Sequence, residues 1–280
     1  MARVGGPITI CVINLKGGVG KSTISALLSR RAYTHKNLDV LAVDLDPQAN
    51  LSQGLMHTSY AGFLSNRRPS IVEIFNGYQP PSQSSPGATP LASSAELLAS
   101  TGDRSFELIP SRFDFSDNLV GAVRPDPRVL ARHLAANFQH KDLIVIDCTP
   151  TESVLTLAAY HASGKVLVPV KPEYFATIGF PLLNQSLANF RNQNRGHTID
   201  VCGIVINNAF YNGGNDGGPE KTRAMAEIRT EAAKNQWPIF EREMYHSRGY
   251  PKIMRGDNSY SGDAQYFPWV ADEIFASLGL

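Results

Sequence analysis

The run Lys16-Gly17-Gly18-Val19-Gly20-Lys21-Ser22-Thr23 gathers lysines, glycines and hydroxyls into one short segment. Glycines let a backbone curl closely around an anion, successive N–H groups and a following helix N-terminus supply positive potential, and Lys21 adds a full charge. The chemistry implied is a cradle for nucleotide phosphates, with Lys21 near the β- and γ-phosphates and Ser22 placed to ligate Mg²⁺. The common form of such a loop, G-x-x-x-x-G-K-[ST], needs glycine at position 15, where this chain has Leu15. Lys16, inside the loop, therefore needs an explanation of its own.

Carboxylates follow at two further places. In Asp44-Leu45-Asp46-Pro47-Gln48 the acids alternate, so strand geometry points both the same way at the carboxyl edge of a sheet, where open α/β folds bind ligands. One of them could hold the Mg²⁺ shell and the other could orient or deprotonate an attacking water. Farther on, the apolar Leu143-Ile144-Val145-Ile146 runs into Asp147, an arrangement in which a strand-end carboxylate holds the metal or its waters.

These residues act together only if a sheet brings them to one edge. Short apolar runs at 8–13, 40–43, 143–146, 166–170 and 201–206 read as buried strands, and 22–31, 128–138 and 222–235 read as helices. Such alternation predicts an α/β fold with a mostly parallel central sheet and helices on both faces. With 280 residues and 42% hydrophobic content, the chain can bury a full core and is read as one domain over 1–280. Proline, serine and glycine clusters predict exposed loops at 79–101 and 212–219.

A formal net charge of +1 excludes adhesion to nucleic acid through bulk charge and leaves only a local basic patch. Cys11, Cys148 and Cys202 lie far apart with no C-x-x-C pair, which argues against a disulfide scaffold, a structural zinc or a cluster ligand set. Each is expected to be buried. No apolar run approaches the roughly 18 residues of a membrane helix, so the expectation is a cytoplasmic protein.

The three elements, in this order, resemble the ParA/MinD superfamily of deviant Walker ATPases, and the nearest branch is the ParA-type partition ATPases. Lys16–Thr23 matches the K-G-G-V-G-K-[ST]-T of that family, Asp44–Gln48 its D-x-D-P-Q, and Leu143–Pro150 its I-I-I-D-x-x-P. Val168-Pro169-Val170 followed by Glu173-Tyr174-Phe175-Ala176 and Gly179 is similar to the segment after the family's next strand. The resemblance implies an ATP- and Mg²⁺-dependent ATPase. In it Gly17, Gly18, Val19 and Gly20 wrap the phosphates, Lys21 binds them, Thr23 meets the α-phosphate and Asp46 handles the catalytic water. Ser22, Asp44 and Asp147 are the metal candidates. Lys16 would reach across a dimer interface to the partner's nucleotide, stabilising phosphoryl charge in trans. Asn207 or the adjacent Asn208 lies where the family places an adenine contact. Met244–Arg248 keeps only the last arginine of the P-R-N-x-R expected nearby.

The resemblance also implies partners: a second copy of the chain when ATP is bound, nonspecific DNA, and a ParB-like or other cargo adaptor that stimulates slow hydrolysis. A nucleoid-associated location in the cytoplasm follows, with plasmid or chromosomal DNA as cargo. Basic residues thicken toward the C-terminal third, where Lys221, Arg223, Arg248, Lys252 and Arg255 are the DNA candidates, although glutamates are interleaved. The alternatives are a protein cargo positioned on the nucleoid and a MinD-like membrane association. Residues 269–280 are acidic and lack lysine, unlike a basic amphipathic anchor. The cluster cysteines of a nitrogenase iron protein are missing. With the phosphate loop this near Met1, no operator-reading helix-turn-helix is expected ahead of it.

Overall fold

The computed structural model describes residues 6–77, 94–115, 126–173, 179–208, 218–257 and 266–280. The apolar runs become strands whose ends shift by two residues at most: β1 (Ile8–Val12), β2 (Val40–Asp44), β5 (Leu143–Asp147), β6 (Lys165–Val170) and β7 (Asp200–Asn208). The hairpin of β3 (Glu96–Thr101) and β4 (Arg104–Ile109) and the short β8 (Met244–Tyr245) complete a sheet of order β3-β4-β2-β5-β1-β6-β7-β8. All pairings are parallel except β3 with β4.

Strand alternation sorts the core into two layers. Ile10, Val12, Ala42, Val145 and Val205 face one side, where α1 (Lys21–Thr34), α2 (Asn50–Met56), α3 (Ser59–Ser65), α9 (Tyr250–Met254) and α10 (Tyr266–Leu278) pack. Cys11, Val43, Ile146, Val168 and Ile206 face the other, covered by α4 (Ile71–Gly77), α5 (Val129–Asn137), α6 (Val154–Ala162), α7 (Gly179–Gln193) and α8 (Gly218–Asn235). Strands buried on both faces read as unbroken apolar runs, and those are the strands the sequence displays. All three cysteines are buried, as expected.

Two expected loops need correction. Glu96–Thr101 is strand β3 and not part of a loop, because hairpin pairing with β4 around Gly102 (φ +59°) supplies its hydrogen bonds; residues 79–93 lie outside the described residues. Gly218 and Pro219 open helix α8, with proline in the first turn where its missing N–H costs nothing; residues 212–217 are outside the described residues. The C-terminal α10 buries Phe267, Val270, Ile274 and Phe275 against the sheet. Among the described residues, no helix is long and apolar enough to cross a membrane.

Register sets the functional edge. Asp44 of β2 lies directly beside Asp147 of β5, and Asp147 beside Val12 of β1, so the loop after β1 and both acids emerge at the same level.

Candidate functional site

The loop between β1 and α1 is shaped by left-handed turns at Gly18 (φ +70°) and Gly20 (φ +96°), which a side chain would strain. No side chain caps α1 at Gly20, so the first N–H groups of the helix stay available to an anion. Asn14 pins the other end of the loop: its buried amide donates to the Pro169 carbonyl (2.8 Å), and its Oδ1 accepts the Lys16 N–H (2.9 Å).

The two lysines of the loop have different fates. Lys21 is buried, and its Nζ donates to the backbone carbonyls of Asn14 (3.2 Å) and Lys16 (3.1 Å). Burial lowers its pKa, against the opposing pull of Asp147, Cys148 and Asp46. Lys16 turns outward, about a third exposed, and its Nζ meets Glu173 Oε2 at 3.4 Å. An ion pair this exposed is worth only about 0–1 kcal/mol, so Lys16 can leave it for a better anion at little cost.

Gly17, Gly18, Gly20, Lys21, Ser22 and Thr23 form one wall of a cleft of about 520 Å³, and Asp46, Gln48, Asn50, Pro150 and Met254 form the rest. Among the described residues, a Cβ added at Gly17 or Gly18 would meet no atom within 4 Å beyond its chain neighbours, so these positions leave room for a ligand. Beneath it Asp147 is fully buried. Its Oδ1 accepts from Ser25 Oγ (3.2 Å), whereas its Oδ2 is buried with no hydrogen-bond partner among the described residues. Burial pushes the Asp147 carboxyl well above its usual range and the nearby Asp44 charge adds to this, while Ser22 and Lys21 oppose it. An orphaned carboxylate oxygen beside the Ser22 hydroxyl fits a hydrated Mg²⁺. Among the described residues, no three His, Cys, Asp or Glu side chains converge as a metal cage, so such an ion would draw further ligands from phosphates and water.

The paired acids of the D-x-D run separate in role. Asp46 lies beyond the end of β2 and lines the cleft, its Oδ1 accepting the Gln48 N–H (2.9 Å). Asp44, the other metal candidate, does not line it, and both of its oxygens are held by protein donors. Oδ2 accepts from Ser52 N–H (2.8 Å) and Ser52 Oγ (2.6 Å), and Oδ1 accepts the Asp46 N–H (3.1 Å). Complete burial pushes the Asp44 carboxyl up to about 7 against the pull of these donors.

The adenine candidates lie at the end of β7. The Asn207 side chain is buried and donates to the Val19 carbonyl (2.9 Å), and a Cβ at Gly20 would come within 2.3 Å of its Nδ2. Asn207 thus braces the phosphate loop from β7 with the amide group expected to read a base. Of Asn208 only the backbone is described, paired with Tyr245 of β8.

The DNA candidates come from elements on both faces of the sheet. Arg223 is exposed on α8, on one face of the sheet, and Lys221 beside it pairs with Glu243 at 3.2 Å. Arg248, Lys252 and Arg255 are exposed around α9 on the opposite face, with Arg255 Nη1 3.1 Å from His57 Nε2.

Sequence reasoning passed over several residues of the site. Asn14 is a polar residue ending an apolar strand, a readable signal. Met254 has none, since packing alone brings it to the cleft. Its methyl occupies the notch left by Gly54, where a Cβ would lie 2.4 Å away, and its carbonyl accepts Arg30 Nε of α1 (2.7 Å).

The AAA domain family matches residues 8–199. The chain is 32% identical over 203 residues to the chromosome partitioning protein ParA of Myxococcus xanthus, covering 71% of this chain and 60% of that protein. It is 32% identical over 178 residues to the sporulation initiation inhibitor protein Soj of Bacillus subtilis, covering 62% of each. The chain thus spans only about 60% of the length of these relatives. Its fold is similar to that of a Cyanothece McdA variant solved in complex with ATP, with a TM-score of 0.76 and 18% identity over 98% of this chain and 97% of the other.

Proposed function

Because the chain belongs to the AAA domain family and is of its ParA type, we propose that it is a slow, Mg²⁺-dependent ATPase. It dimerises when ATP is bound, holds DNA without sequence preference, and is stimulated by a cargo-bound adaptor. Its cargo in this reading is plasmid or chromosomal DNA moved over the nucleoid. Lys21 holds the phosphates, Asp46 orients the attacking water, and Ser22 with Asp147 holds the metal, which when bound offsets phosphate charge. The observation that carries the reading is the pair of lysines on one loop. Lys21 already serves the cradle, so the outward, weakly held Lys16 is a cation available to a second protomer's nucleotide.

Two experiments test this reading. Lys16→Ala should bind ATP and stay monomeric; sedimentation with a slowly hydrolysed ATP analogue that shows a normal dimer refutes the role in trans. For DNA, one protomer's scattered basic residues neutralise few phosphates, and pairing two protomers raises the number of counterions released. ATP should therefore switch binding on, with a salt slope that falls by about 0.9 for each phosphate contact removed when Arg223, Arg248 or Lys252 is replaced. The measurement is a salt titration on unrelated duplexes with ATP, with ADP and without nucleotide. Equal affinity in all three states overturns the switch, and no binding at any salt moves the cargo to a protein.

A further inference from the structure

Asp46 sits outside any strand or helix, and a residue that must hold a water in line needs a fixed backbone. The hydrogen bonds show where that fixity comes from. The Asp46 N–H donates to Asp44 Oδ1, and Asp44 Oδ2 is gripped by both the N–H and the hydroxyl of Ser52 on α2. The Ser52 hydroxyl simultaneously accepts the Ser111 N–H (2.9 Å) just past β4. Asp44, Ser52 and Ser111 are each fully buried, and none of them lines the cleft. The segment from Asp44 to Ser52 is thus closed into a ring, and the residues it presents to the cleft are Asp46, Gln48 and Asn50.

We propose that Ser52 is a positioning residue for hydrolysis: its hydroxyl, donor to Asp44 and acceptor from Ser111 at once, sets where Asp46 meets the attacking water. The inference rests on the reading of Asp46 given above. A hydroxyl is required because one atom must donate to a carboxylate and accept from an N–H; alanine does neither and cysteine does both weakly. Ser52 is buried and does not line the cleft, so its loss should act on turnover and leave binding intact. Displacement of a reacting group by about 1 Å costs on the order of 10²-fold in rate, which bounds the effect.

The test compares Ser52→Ala, Ser52→Cys and Ser52→Thr for kcat, for KM and for ADP affinity, each alone and in the Asp46→Ala background. Expected is a kcat lowered about 10- to 10²-fold in Ser52→Ala, less in Ser52→Cys, and largely restored in Ser52→Thr, with ADP affinity within about twofold throughout. In the Asp46→Ala background Ser52→Ala should cost nothing further, because there is no carboxylate left to position. A kcat within twofold of the parent in both Ser52→Ala and Ser52→Cys, or a fall matched by equal loss of ADP affinity, overturns the proposal. If Asp46→Ala itself keeps turning over, the assignment of Asp46 is what fails; an inactive Asp46→Ala beside a fully active Ser52→Ala overturns the positioning role alone.

Discussion

Lys21→Ala should abolish nucleotide binding at ordinary concentrations. A charge-assisted hydrogen bond contributes about 1.5–3 kcal/mol, and an ammonium placed on two phosphates makes at least two, so the loss should be roughly 10²–10⁴ in affinity. The position of Lys21 strengthens the case. Among the described residues, its Nζ has only the carbonyls of Asn14 and Lys16 as hydrogen-bond partners, and burial has already lowered its pKa. A polyphosphate therefore offers this group a far better partner than it now has. Removal leaves the carbonyls of Asn14 and Lys16 without this donor. Titration of a fluorescent ATP analogue, with thermal melting as the control for folding, decides the matter. Near-normal affinity in a folded variant would sink the assignment of the loop.

Asp46→Ala should separate binding from chemistry. With the phosphate cradle intact, ATP should bind, and turnover should fall by roughly 10²–10⁴ if Asp46 positions or activates the water. A protein that binds ATP without spending it should accumulate as a stable ATP dimer, lengthening the lifetime of whatever assembly the nucleotide creates. Asp46 is better suited to this role than Asp44. Among the described residues it lines the cleft with a single backbone N–H on its Oδ1, whereas Asp44 has both oxygens engaged away from the cleft. Single-turnover hydrolysis and sedimentation with ATP are the measurements, and unchanged hydrolysis would remove Asp46 from the mechanism.

What could be read from the residues follows from what each signal depends on. The phosphate loop, the D-x-D run and Asp147 were legible because their chemistry is local: a few adjacent residue types at fixed spacing, next to strands buried on both faces. β5 needs no context to be seen, since Leu143–Ile146 is wholly apolar. β3 and β4 are not legible as strands, because Glu96, Arg104, Ser105 and Glu107 interrupt the apolar pattern and their hydrogen bonds come from each other and, for β4, from β2. The same limit governs the site. Asp44 and Asp46 share a face by strand alternation only while the strand continues, and it ends at Asp44; the turn that follows sends the second acid to the cleft and the first to Ser52. Asn207 was placed correctly at the end of β7, but its partner, the Val19 carbonyl, depends on a sheet order that no local pattern encodes. The basic residues were found as a cluster in sequence and are divided between faces in space, because β8 turns the chain across the edge of the sheet.

Helix α9 is five residues long, too short to hold its shape unaided. Tyr250 and Ile253 anchor it in the core, the Met254 methyl rests in the notch at Gly54, and Arg30 from the phosphate-loop helix hydrogen bonds to its last carbonyl. Its conformation is on loan from two elements that begin at the nucleotide cleft. A protein engineer could not lift Arg248, Lys252 and Arg255 onto another scaffold as a short cassette. The transplant would have to take Arg30, Gly54 and much of α1 and α2 with it.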